Sequence, residues 1–208
     1  MARVSRDQTA KNHERIEQAS ARLLRERGLD VSVADVMADA GLTHGGFYGH
    51  FASKDELAAA ACARAFGEAA ERWRERTAGR RTRRSRWLAV IESYLSAPHR
   101  DHPGAGCAAT ALAADVARQP PGKPVRAAYV AGCKQLAAML ADLSPAATPA
   151  GRARQGWAQL AMLVGAVSLS RAMDGDPDAD QVLRAARDYL ADADASAAAG
   201  ADNDGAST

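Results

Sequence analysis

Residues 32–57, SVADVMADAGLTHGGFYGHFASKDEL, constrain the fold more than any other stretch of the chain. They encode three short helical segments with almost no connecting residues. Ser32 is a good N-cap, and Asp35 three residues on can reach back to it, close to a capping box. Val33, Val36 and Met37 then fall on one face at helical spacing. Gly41 stands where a helix ends in left-handed backbone, and Leu42 follows as a buried hinge. Thr43 caps a second segment, and Ser53 caps a third with Glu56 at the return position of its box. Helix, short glycine-containing turn, helix is the helix-turn-helix arrangement, whose second helix can enter a DNA major groove.

Composition points the same way. Hydrophobic residues make up 47% of the 208 positions but aromatics only 5%. Alanine dominates the apolar share and β-branched residues are sparse, which favours helices almost throughout. No alternating pattern predicts a strand. The formal net charge is only +2, so the molecule is no polycation, but the signs are segregated. Eight arginines face one acid, Glu75, between Arg72 and Arg86, while nine aspartates face two arginines from Asp174 onward. Such asymmetry fits one face for an anion and another turned away from it. Cys62, Cys107 and Cys133 show neither CxxC pairing nor metal spacing, which fits a reduced cytosolic compartment. The N-terminus lacks the apolar core of a signal peptide, and no apolar run reaches the ~18 residues of a membrane span. The expectation is a cytoplasmic protein with no membrane partner and no cofactor.

Along the chain, residues 1 to 11 predict a polar, frayed start in which Arg3, Arg6 and Lys11 form either a solvated tail or a basic arm. A first helix follows over Asn12–Arg27, its inward stripe Ile16, Ala19, Leu23 and Leu24. The helix opened by Ser53 reaches about Thr77, and the segment 78–85 breaks it. The arginines there have three possible partners: DNA, acidic groups of a dimer, or water. A helix from Trp87 ends before Pro98, and residues 99–106 predict a loop. Two histidines and an aspartate in that loop are too irregularly spaced for a metal site. Further helices span 107–118, 124–143 and 148–173, with a last one after Asp176-Pro177. Cys107 lies near a helix N-terminus, where the dipole lowers a thiol pKa; it is a candidate redox site, or a small packing residue. Trp157, Leu160, Ala161, Val164, Val167 and Ser168 recur at three-four spacing. Gly156 and Gly165 allow another helix close approach. From about Ala195 a small, acidic tail should be disordered.

Ala40-Gly41-Leu42-Thr43, Gly45, Phe47-Tyr48, His50-Phe51 and Ser53-Lys54-Asp55-Glu56-Leu57 together resemble the DNA-binding signature of TetR/AcrR-type transcriptional regulators. With the helix before it, the match covers the first quarter of the chain. The resemblance implies an all-α fold of about nine helices. Residues 1–52 would form a three-helix helix-turn-helix domain, 53–194 a helical ligand-binding and dimerisation domain, and 195–208 the acidic tail. It implies that Thr43, His44, Gly45, Gly46 and Tyr48 face DNA, and that His50 and Lys54 contact phosphates. Gly46 and Gly49 depart from the family, which usually carries side chains there. Two readings of them stay open: loose packing in a short helix, or close backbone approach to phosphates.

The functional expectation is a homodimer that binds a palindromic operator on double-stranded DNA and is released by a small-molecule effector. Trp87, Tyr94, Met139, Trp157 and Met162 are the candidate ligand-binding residues, and the last two helices are the dimerisation pair. The alternatives are a redox- or electrophile-sensing regulator acting through Cys107, and an all-helical protein-interaction module. An enzyme is not expected: no HExxH, phosphate-binding glycine loop or nucleophile elbow is present.

Overall fold

The computed structural model describes residues 6–204, with side chains through 196. The described residues are helical with no strand. In order they form α1 (Arg6–Arg27), α2 (Val33–Asp39), a 3-10 helix (His44–Gly49), α3 (Lys54–Thr77), α4 (Arg83–Tyr94), α5 (Ala97–Asp101), a second 3-10 helix (Pro103–Ala105), α6 (Ala108–Arg118), α7 (Pro124–Asp142), α8 (Pro149–Ala172) and α9 (Asp178–Asp204). No helix among them is long and apolar enough to cross a membrane.

The described residues pack as two compact units, residues 6–69 with Pro103–Gly132, and Ala70–His102 with residues 133–204. In the first, the predicted stripe of α1 is inward: Ile16, Ala19, Leu23 and Leu24 are buried, as are Val36, Met37, Phe47, Phe51 and Leu57. One charge enters this core. Arg25 is 7% exposed, and its Nε donates to the Gly104 carbonyl at 2.7 Å while Nη1 donates to Glu68 at 2.8 Å. A buried guanidinium is tolerable only when its donors are met in this way. The Leu29 N–H, just past α1, donates to Asp115 of α6 at 2.9 Å, so the end of α1 and the residues after it are tied to the second 3-10 helix and α6.

In the second unit, Trp87 is fully buried and its Nε1 donates to the Leu190 carbonyl at 3.3 Å. Thr82 and Ser85 form a capping box that opens α4. The arginines behind that box answer to the chain itself: Arg83 grips Asp194 through both terminal nitrogens and Arg84 joins at 3.3 Å. Asp194 is 1% exposed. α8 and α9 pack side by side. Gly156 allows the predicted close approach, since a Cβ there would lie 2.4 Å from the Ala137 carbonyl oxygen; Gly165 has nothing within 4 Å.

Several boundaries differ from expectation. α1 starts at Arg6, not Asn12, helped by Asp7 in its first turn and a Gln8–Asn12 side-chain bond of 2.9 Å. Arg6 and Lys11 are therefore exposed helical residues, while Arg3 lies outside the described residues. The expected loop at 99–106 overlaps α5 and the second 3-10 helix, because Ser96 caps α5 with Pro98 in its first turn. The tail expected to be disordered continues α9 to Asp204; its alanines favour helix. Residues 205–208 lie outside the described residues.

Candidate nucleic-acid interface

The end of α2 builds the platform. Gly41 has φ +68°. Its N–H donates to the Ala38 carbonyl at 3.0 Å and the Leu42 N–H to the Met37 carbonyl at 2.8 Å, the paired bonds of a Schellman ending. At the other end of α2, Ser32 Oγ accepts the Asp35 N–H at 3.1 Å and donates to the Asp35 carboxylate at 2.7 Å. The Ser32 hydroxyl first, and a bond from the Ser32 backbone second, hold the Asp35 carboxyl below its usual pKa.

The next segment departs from expectation. Residues His44–Gly49 are a 3-10 helix, not an α-helix. Thr43 has N-cap backbone angles, φ −80° and ψ 145°, but its side chain makes no cap bond. Three glycines among six residues weaken α-helix propensity, so the tighter, shorter helix forms. Leu42, expected to be buried, is half-buried.

Phe47 and Phe51 fix this element to the core, at 1% and 3% exposed. Their rings lie 6.0 Å apart, and His13 stacks on Phe51 at 4.4 Å. Anchoring by those two rings leaves the residues leading into them, and Tyr48 between them, at the surface. Thr43, His44, Gly45 and Gly46 are exposed, and Tyr48 is 74% exposed. His50 is half-buried; burial first, and His13 second, lower its pKa. Its Nδ1 is buried with no hydrogen-bond partner.

α3 starts at the edge of this surface. The Glu56 N–H donates to Ser53 Oγ at 3.1 Å, and the Glu56 carboxylate accepts the Ala52 N–H at 2.6 Å. The reciprocal bond thus lands one residue before the N-cap. Lys54, the first helical residue, is exposed where backbone N–H groups also point.

Sequence reasoning overlooked two residues. Thr9 and Asn12 of α1 line a cleft of about 310 Å³ whose other walls include Thr43, Gly46, Gly49 and His50. A helix started at Asn12 leaves Thr9 in a tail, which is why the cleft was not legible.

The candidate ligand residues separate. Trp87 and Tyr94 are buried, Met139 and Met162 half-buried. Trp157 is 47% exposed on α8, in company with Leu169 at 58% and, on α9, Tyr189 at 64%. Leu160 and Val167 of the predicted α8 stripe are core residues. Gln159, which the sequence did not single out, is 5% exposed with no partner for its Oε1. Cys107 is the N-cap of α6 and is 2% exposed.

Residues 16–61 match the family described as bacterial regulatory proteins, tetR family. Solved structures share the fold over nearly the whole chain. A TetR-family transcriptional regulator from Cytophaga hutchinsonii is 18% identical, with 91% of this chain and 97% of that one covered and a TM-score of 0.73. One from Chloroflexus aurantiacus is 22% identical, covering 89% and 94%, with a TM-score of 0.69. The reduced form of E. coli NemR is 20% identical, covering 85% and 95%, also at 0.69. No curated protein matches the chain.

Proposed function

We propose that this chain, a TetR-family protein by its N-terminal segment and its fold, is a homodimeric repressor released from a near-palindromic operator by a small molecule. The observation that carries the DNA half is the exposed set Thr43, His44 and Tyr48, held out from a core by Phe47 and Phe51, with Lys54 at the head of α3. Thr43, His44 and Tyr48 read bases or sugar-phosphate. Gly45 and Gly46 present backbone. His50 and Lys54 hold phosphates, Lys54 together with the open N–H groups of its helix. Lys54 carries the electrostatic share of that contact. Residues 1–52 act as the DNA-binding part and 53–194 as the regulatory part.

Trp157, Leu169 and Tyr189 form the dimer seam, because large apolar side chains exposed on two packed helices are costly to leave in water. That use takes Trp157 away from the ligand site and leaves Trp87, Tyr94, Met139 and Met162 for it. An effector there shifts binding only by its differential affinity for the two states.

The test is the salt dependence of duplex binding. Lys54→Ala should weaken binding to every sequence and flatten the log K against log salt slope by about one unit. An unchanged slope would remove Lys54 from the phosphate contacts.

A further inference from the structure

Half of the 3-10 helix is glycine: Gly45, Gly46 and Gly49. Neither backbone angle nor crowding requires glycine at these positions. None has a positive φ. A Cβ built at Gly45 or Gly49 meets nothing within 4 Å. One at Gly46 meets Met37 Cε at 3.7 Å and Thr43 Oγ1 at 3.9 Å, ordinary contact distances. Alanine would fit at each position and would favour the helical state. What Gly46 and Gly49 provide is bare backbone on the wall of a solvent-facing cleft of about 310 Å³. The same cleft is lined by Thr9 and Asn12 of α1 and by Thr43 and His50.

We infer that Gly46 and Gly49 are affinity-determining residues: their missing side chains admit a sugar-phosphate strand of the duplex into this cleft. Thr9, Asn12, Thr43 and His50 then offer hydroxyl, carboxamide and imidazole groups to its oxygens. Contacts of this type set register on the duplex without reading bases. The occupant follows from continuity, since Thr43, Gly46 and His50 belong both to the cleft and to the proposed DNA-facing set. This inference rests on the DNA-binding reading and adds to it two α1 residues and a purpose for the glycines.

Gly67 supplies the control. It lies within α3, is exposed, and has nothing within 4 Å of a built Cβ. Melting temperature and affinity for a selected duplex are measured at one salt concentration for the full-length wild type, Gly46→Ala, Gly49→Ala and Gly67→Ala. All three variants should melt no lower than wild type. Gly46→Ala and Gly49→Ala should each bind about tenfold more weakly, the equivalent of one hindered contact, with Gly67→Ala unchanged. Equal affinity across the four proteins overturns the inference and leaves DNA binding intact. So does an equal loss in Gly67→Ala. A lower melting temperature for Gly46→Ala or Gly49→Ala also overturns it, because the fold would then need those glycines. A wild type that binds no duplex sinks the functional reading, and this inference falls with it.

Discussion

Burial of His99 gives the protein a built-in sensitivity to acid. Its pKa is lowered to about 4, first by burial and then by Arg171, Arg72 and Arg76. Its Nδ1 stays bonded to the Tyr94 carbonyl at 2.7 Å, and the Tyr94 ring stands edge-on at 4.4 Å. The folded value lies below the unfolded one of 6.5, so the unfolded chain takes up the proton first. The stability this residue contributes is complete above the unfolded value and is lost as pH falls toward 4. Between pH 7 and pH 5 the loss should be about 2 kcal/mol. Urea unfolding of wild type and His99→Gln at both pH values checks it. The variant should lose correspondingly less on acidification, and an identical loss would mean that His99 does not couple protons to folding. None of this was legible in the sequence, where His99 read only as one of two loop histidines.

Among elements, the start of α4 and the middle of α9 depend on one another. Arg83 meets Asp194 with two nitrogens and the Leu143 carbonyl at 2.7 Å, whereas Arg84 reaches the same carboxylate at 3.3 Å. Removing Arg83 leaves a buried carboxylate short of its main partner and should cost about 3 kcal/mol. Arg84→Ala, from a more exposed site, should cost less than half as much. Chemical denaturation of the two variants gives the order directly, and equal losses would refute the unequal sharing. A charge run in sequence predicts solvent by default, because the partner lies more than a hundred residues away and only folding brings it near. Local chemistry fared better. The glycine ending of α2, the Ser53 cap and the Ile16-to-Leu24 stripe were legible because they depend on neighbours within a turn or two. The 3-10 geometry of residues 44–49 was not. It reflects the cost of three glycines, while the pattern of capping residues around them fits either helix.

For the whole molecule, the same logic separates what the chain does alone from what it does in pairs. Leu160 and Val167 close the core of their own unit, and Trp157, Leu169 and Tyr189 remain outside it. A spacing rule finds the α8 stripe but does not divide it between the two uses. Pairing through that surface would bring two copies of the Thr43–Tyr48 element into one complex, set about 34–36 Å apart to occupy successive major grooves. Recognition of a palindromic operator by a dimer depends on that geometry. The most direct measurement is selection from random duplex DNA with purified protein at fixed salt. Enrichment of a near-palindrome with half-sites one helical turn apart is the expected result. Uniform recovery of all sequences, with no symmetric motif at any salt concentration, would contradict a dimeric operator-binding regulator.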